Sequence, residues 1–204
     1  LAARELISQA GKGEQLRLRA IVTRGGSNEE IVKRADLLRQ DSVHGPFPGT
    51  VIEDLENKAL IINGHTVHMI DAKNPEDIDY TKYGISNALV IDNTGVFRDD
   101  KELSRHLQAK GVDKVLLTAP AKGDVPNVVH GINHETVNLK TQKIFSAASC
   151  TTNAIMPILY AIDKELGIQK GHIETVHSYT NDQNLLDNYH KKYRRGRSAA
   201  LNMV

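Results

Sequence analysis

Residues 87–120, NALVIDNTGVFRDDKELSRHLQAKGVDKVLLTAP, decide the fold. NALVID at 87–92 is a short apolar run of the kind that forms a buried strand. KELSRHLQAKG at 101–111 reads as a helix ended by Gly111, and KVLLTAP at 114–120 as a second buried strand ended by Pro120. Strand, helix and strand in such close succession imply a parallel βαβ unit, because parallel neighbours need a crossover between them.

The pattern continues upstream. LAARELISQA at 1–10 reads as part of an amphipathic helix with Leu1, Leu6 and Ala10 toward one side, and GKGEQ succeeds it as a turn. LRLRAIV at 16–22 has the alternation and β-branched ending of a strand, broken by Gly25-Gly26. Asn28 is positioned to cap a helix over 29–40 whose Ile31, Ala35 and Leu38 share one face. HGPFPG at 44–49 is a loop. ALIINGHTVHMI then turns on Asn63-Gly64, a strong hairpin signal because both central residues of such a turn need positive φ.

Downstream, KIFSAAS leads into Cys150. TTNAIMPILYAIDKELG carries Ile155, Leu159 and Ile162 at helical spacing, and Gly167 supplies a stop. Pro157 is expected to kink that helix or confine its regular part to the residues beyond the proline. GHIETVHSYT at 171–180 reads as a strand, and residues 181–198 as polar, irregular and basic.

Composition narrows the class. The 204 residues carry 26 Lys plus Arg against 25 Asp plus Glu, so bulk charge points to neither nucleic acid nor a membrane surface. No stretch approaches the roughly 18 consecutive apolar residues of a membrane span. The single cysteine excludes an intramolecular disulfide framework and any multi-cysteine metal site, and it suits a reducing, cytoplasmic setting. A leading Leu and an apolar final run, SAALNMV, give the expectation of a fragment cut at both ends. The basic HKKYRRGR at 190–197 is expected to be a solvated or interface loop, since net charge is near zero and only one tyrosine is interleaved.

Cys150 lies where a strand hands over to a helix. Orphan backbone N–H groups and the positive end of the helix dipole there favour the thiolate, the nucleophilic form. A lone cysteine is more often a small buried hydrophobe. Ser149, Thr151, Thr152 and Asn153 argue otherwise, because such donors and acceptors suit a place where an oxyanion or phosphate is held. A nucleophilic thiol needs a base, and nine histidines offer candidates. His177 is the best placed, since a strand-helix-strand return would bring it beside Cys150; a surface histidine is the competing reading.

SAASCTTNAIMP followed by TVHSYT resembles the active-site region of phosphorylating glyceraldehyde-3-phosphate dehydrogenases, in which a Ser-Cys-Thr-Thr-Asn run and a His-x-x-Thr motif recur at this separation. DSVHGPF, NTGVF, TAP and RRGRSAALN add matches along the chain. The resemblance implies an α/β chain. Residues 1–148 would form a Rossmann-type NAD(P)-binding domain lacking its first strand and Gly-rich loop, and residues 149–204 the N-terminal part of an α+β catalytic domain. The implied reaction is phosphorylating oxidation of glyceraldehyde 3-phosphate to 1,3-bisphosphoglycerate. Cys150 would form a thiohemiacetal and then a thioester, with hydride transfer to NAD(P) and His177 as base. Ser149, Thr151 and Thr180 match positions that contact substrate or the attacking phosphate. Lys73, Thr94, Gly95, Phe97 and Thr118 match cofactor-contacting positions, Lys73 standing where the family more often has Arg. A homotetramer in the cytoplasm, acting in glycolysis or gluconeogenesis, completes the expectation, with no metal.

The departures are informative. NAD-preferring members end the strand written here LRAIV in an acidic residue that hydrogen-bonds the adenine ribose; this chain has Thr23 and Arg24 there. Arg24 with Gly25 and Gly26 would accept a 2′-phosphate, so NADP is expected alongside NAD. Ala154 stands where many relatives carry a second cysteine. Erythrose-4-phosphate dehydrogenase is the nearest alternative, against which Thr180 argues. A non-catalytic fragment and a cysteine hydrolase are the other two.

Overall fold

The computed structural model describes residues 1–9 and 16–203. Its elements run α1 (Ala2–Gln9), β1 (Ala20–Thr23), α2 (Asn28–Arg39), β2 (Gln40–Asp41), β3 (Gly45–Pro46), β4 (Val51–Asp54), β5 (Ala59–Ile62), β6 (His65–Asp71), β7 (Ala88–Asp92), α3 (Asp100–Leu107), β8 (Val112–Leu117), β9 (Ile144–Ser146) and α4 (Cys150–Leu166), with short 3-10 turns between. Contacts divide the chain into two compact units, Leu1–Met156 and Pro157–Val204.

The first unit is an α/β structure. One sheet has the order β1-β6-β5-β4, with β1 parallel to β6 and the rest antiparallel; a second has the all-parallel order β7-β8-β9. The βαβ unit read from 87–120 is therefore present. Its helix stops earlier than expected, at Leu107, because the Gln108 N–H already bonds back to Arg105 and His106; Gly111, at φ 95°, makes the later turn into β8. Its second strand begins at Val112 and ends at Leu117, so residues 118–120 lie beyond it.

Periodicity located the core of the other sheet. Ile31, Ala35 and Leu38 are all buried, and they join Phe47, Leu60, Ile62, Val67 and Met69 in one cluster. Complete burial of a side chain such as Leu60 contributes about 2 kcal/mol. Asn63 and Gly64 both have positive φ (47° and 80°), as the hairpin between β5 and β6 requires. Arg4 docks α1 on this layer: its guanidinium donates to the Leu38 carbonyl, through Nε at 3.0 Å and Nη2 at 2.7 Å, and to the Gly45 carbonyl at 2.9 Å. The Leu38 carbonyl near the end of α2 thereby gains a side-chain donor.

Several boundaries are corrected. The cap of α2 is Ser27, not Asn28: Ser27 is extended (φ −68°, ψ 156°) and its hydroxyl accepts the Glu30 N–H at 3.2 Å. The strand expected at 16–22 is confined to 20–23, the residues that pair with β6. In α1 the residue turned fully inward is Ile7, with Ala3 packed against the same cluster, while Leu1 is exposed. Ala10 and the GKGEQ turn lie outside the described residues.

The residues from Cys150 onward contrast with those before them. Helix α4 is continuous from Cys150, so its regular part is not confined to the residues after Pro157; losing one donor leaves the ladder on both sides of the proline intact. It ends at Leu166 with Gly167 at φ 73°, the stop expected from the sequence. The strand expected at 171–180 is absent. All ten residues are exposed, and no described strand pairs with them, so the alternation has no ladder to join. Farther on, the basic stretch is tied to acidic neighbours: Arg197 pairs with Asp187 at 2.8 Å, and the Ser198 N–H donates to the same carboxylate.

Candidate functional site

Cys150 owes its position to the turn between β9 and α4. Ser146, fully buried at the end of β9, donates its hydroxyl to the Ala119 carbonyl at 2.7 Å and accepts the Ala148 N–H at 2.9 Å. Ala148 has φ 59°, a left-handed conformation that a non-glycine residue adopts at a cost of about 1–3 kcal/mol. Ser149 then accepts the Thr152 N–H at 3.0 Å and shares a 2.7 Å bond with the Thr152 hydroxyl, acting as the helix cap. Asn153 closes the turn by donating Nδ2 to the Ala147 and Ser149 carbonyls at 2.7 and 2.8 Å.

The result is an exposed thiol on the first residue of a 17-residue helix, with Ser149 and Thr151 half-buried on either side. Helix partial charge there favours the thiolate, and N–H groups of the first turn can face an anion. The four polar neighbours read from the sequence therefore divide by role. Ser149, Thr152 and Asn153 build the turn, and Thr151 flanks the thiol.

His177 belongs to the second unit and Cys150 to the first. The imidazole Nδ1 faces the Ser178 carbonyl at 2.5 Å. Near it in sequence, Thr180 donates its hydroxyl to Asp182 at 2.5 Å, and Asp182 receives Arg195 Nη1 at 2.5 Å. The Thr180 hydroxyl and the Arg195 charge hold the Asp182 carboxyl below the usual range, against a smaller opposing effect of burial. Asp182 and Arg195 thus join Thr180 as polar groups that the sequence reading did not select. The signal for Asp182 was its place two residues after Thr180; Arg195 is brought in only by the fold.

The remaining candidates gather at the C-terminal ends of β1, β6, β7 and β8. A groove of about 1020 Å³ runs between β1 and β7 and is lined by Thr23, Arg24, Lys73, Thr94 and Phe97 among others. Gly95 and Thr118 do not line it. Phe97 is mostly buried, its ring edge-on to His106 at 5.4 Å and beneath the Arg105 guanidinium at 5.3 Å, so it anchors the loop as much as it faces the groove. Arg105 is held there by Glu76, at 2.8 Å.

Asp92 organises this end of the sheet. Its Oδ1 accepts both the N–H and the hydroxyl of Thr94 at 2.7 Å, its Oδ2 accepts His106 Nε2 at 2.9 Å, and its carbonyl accepts Thr118 N–H and Oγ1, each at 3.0 Å. Thr94 and Thr118, 24 residues apart in the chain, are thereby fixed to one residue. Burial pushes the Asp92 carboxyl up, but the bonds from His106 and Thr94 outweigh it and leave it below the usual carboxylate range. The sequence carried a partial signal in Asp92-Asn93-Thr94-Gly95, a turn-forming set at a strand end. His106 carried none.

Among the described residues, no group of three His, Cys, Asp or Glu is assembled to hold a metal, and no helix is long and apolar enough to cross a membrane. Beyond the C-terminal ends of these parallel strands, the exposed cations Arg24 and Lys73 fit a phosphate-bearing ligand.

Two models of one protein family match the chain. Residues 3–100 match the model described as glyceraldehyde 3-phosphate dehydrogenase, NAD binding domain, and residues 149–204 the model of the C-terminal domain. A glyceraldehyde-3-phosphate dehydrogenase-like protein of Pseudomonas aeruginosa (strain UCBPP-PA14) is 59% identical over the whole chain, which covers 44% of that protein. A glyceraldehyde-3-phosphate dehydrogenase of Zymomonas mobilis is 38% identical over the whole chain and 62% of its own length, and one of Thermotoga maritima 41% identical over 99% of the chain and 62% of its own length. The chain spans about half the length of the curated relatives it matches.

Proposed function

The chain belongs to the glyceraldehyde-3-phosphate dehydrogenase family, and from that premise we propose that the protein carrying it oxidises glyceraldehyde 3-phosphate to 1,3-bisphosphoglycerate with inorganic phosphate. Its N-terminal part is of the family's Rossmann-type NAD-binding kind, succeeded by part of the catalytic domain. The observation that carries the proposal is Cys150: an exposed thiol on the first turn of a long helix, set there by a turn that Ser146, Ser149 and Asn153 hold together.

In this reading the Cys150 thiolate attacks the aldehyde carbon, forming a C–S bond, and the new oxyanion takes a proton from the imidazolium of His177. NAD(P), when bound, would supply the hydride acceptor, and His177 would take back the hydroxyl proton as the thiohemiacetal is oxidised to a thioester. Phosphate oxygen then attacks the thioester carbon, the C–S bond breaks, and the thiolate leaves with 1,3-bisphosphoglycerate as product. Ser149, Thr151 and Thr180 hold substrate and attacking phosphate, and Arg195 adds a cation beside Thr180.

Thr23, Arg24, Lys73, Thr94, Gly95, Phe97 and Thr118 hold the cofactor. Arg24, exposed where an acidic residue would repel a 2′-phosphate, supports use of NADP alongside NAD. The groove between β1 and β7 supports a further parallel strand there, contributed by the complete protein, with the phosphate-binding turn at its end. The 204-residue chain alone is proposed to be inactive, and the complete enzyme to be a cytoplasmic homotetramer of glycolysis or gluconeogenesis. Erythrose 4-phosphate is the alternative substrate, against which the presence of Thr180 argues.

The test is reduction of NAD by the complete protein with glyceraldehyde 3-phosphate and phosphate, run beside erythrose 4-phosphate. Cys150→Ser is expected to abolish turnover and to leave NAD binding in place. Turnover in that variant would overturn the mechanism, and faster turnover of erythrose 4-phosphate would overturn the substrate.

A further inference from the structure

The end of β1 has no carboxylate, yet the fold delivers one to the same place. Strand β6 runs parallel to β1 with Thr23 opposite Asp71, so both strands finish at the same edge of the sheet. Asp71 Oδ1 accepts the Gly25 N–H at 2.8 Å, and the Thr23 hydroxyl donates to the Gly25 carbonyl at 3.0 Å. Gly26 lies so close that a Cβ there would come within 2.8 Å of the Asp71 Cβ and 3.1 Å of its Oδ2. Lys58 holds the far side of the loop through the Gly26 carbonyl at 3.1 Å and Asn28 at 2.7 Å. The Arg24–Gly25–Gly26 loop is therefore built around the Asp71 carboxylate.

We propose that Asp71, from the neighbouring strand, is the specificity-determining carboxylate of the cofactor crevice, taking the place of the acidic residue that β1 lacks. In a doubly wound sheet the ribose of a dinucleotide sits outside the C-terminal ends of the strands, where a carboxylate accepts its hydroxyls and opposes a 2′-phosphate. Asp71 fills both requirements, and it also occupies the Gly25 N–H that a 2′-phosphate would otherwise use. Arg24 attracts that phosphate from the same loop. The balance between Arg24 and Asp71 sets the ratio of NAD to NADP affinity. This inference rests on the reading of the C-terminal strand ends as an NAD(P) site.

Isothermal titration of NAD and of NADP into the complete protein tests it without any turnover. Asp71→Asn keeps the side-chain shape and removes the charge, and is expected to move the affinity ratio about tenfold toward NADP, the size of one lost charge effect. Glu30→Gln, which removes the other carboxylate against Gly25, is expected to leave the ratio within about twofold of wild type. Where thermal melting shows the Asn variant unfolded, Asp71→Ser, which keeps an acceptor for the Gly25 N–H, carries the same comparison. An unchanged ratio in a folded Asp71 variant that binds both cofactors overturns the assignment and leaves the NAD(P) site standing. Wild-type protein that binds neither cofactor overturns the site and this inference together.

Discussion

His106 Nε2 lies 2.9 Å from Asp92 Oδ2, and both side chains are withdrawn from solvent at the edge of the β7-β8-β9 sheet. The pair joins the helix of the βαβ unit to the end of its first strand, and through Thr94 to the loop that faces the groove. A buried carboxylate with three side-chain and backbone donors is stable only while it is charged, which gives the first prediction its sign.

Asp92 has a depressed folded-state pKa, so its stabilisation is complete above the ordinary carboxylate value and is lost as pH falls through the lower folded value. Chemical denaturation between about pH 3 and pH 7 is expected to show wild type losing stability toward the acid end. Asp92→Asn is expected to cost about 1–3 kcal/mol at neutral pH and to flatten that acid dependence. Equal acid slopes in the two proteins would contradict it.

Ser149→Ala removes the cap of α4. The expected loss is about 1 kcal/mol of stability, together with slower alkylation of Cys150 by iodoacetamide at neutral pH as the turn that presents the thiol loosens. The labelling rate, tracked by mass spectrometry of the Cys150 peptide, reads this directly.

Arg4→Ala removes the guanidinium that ties α1 to the end of α2. Two bonds to the Leu38 carbonyl and one to the Gly45 carbonyl go with it, and a loss of about 1–2 kcal/mol is expected in equilibrium unfolding. Arg4→Lys is expected to recover only part, since a point charge cannot reproduce the fork.

NADP is expected to support turnover in the complete protein, with kcat/KM for NAD exceeding that for NADP by less than about 100-fold. Arg24→Ala is expected to lower kcat/KM for NADP about tenfold and to change that for NAD little, since only NADP carries the 2′-phosphate. A preference for NAD beyond that bound in wild type would refute dual use.

Peroxide is expected to convert Cys150 to sulfenic acid and then to mixed disulfides with added thiols. Ala154, one helical turn on, offers no local partner for an internal bridge. Intact mass and peptide mapping of the treated complete protein check this; Cys150 joined to a second cysteine of the same chain is the contrary result.

Local rules carried much of the fold. Ile31, Ala35 and Leu38 had to face one way because a helix repeats every 3.6 residues, and they do. Asn63-Gly64 had to turn because both positions tolerate positive φ. The start of α4 at Cys150 was legible because small polar residues cap helices. Rules of the same kind erred where a ladder partner was needed: 171–180 alternates like a strand but finds no strand to pair with. They also put the cap of α2 at Asn28, one residue late, since φ and ψ, which place it at Ser27, are set by the folded chain.

Residue pattern alone was enough for the parallel α/β class, the buried face of α2, the hairpin of β5 and β6 and the start of α4 at Cys150, because each depends on neighbours within a few positions. Tertiary structure decided which distant residues share a site. His106 reaches Asp92 across 14 positions, Arg195 reaches Asp182 across 13, and Asp71 reaches Gly25 across 46. The register of β1 on β6 sets the last of these, and register is a property of pairing in space that no single strand carries.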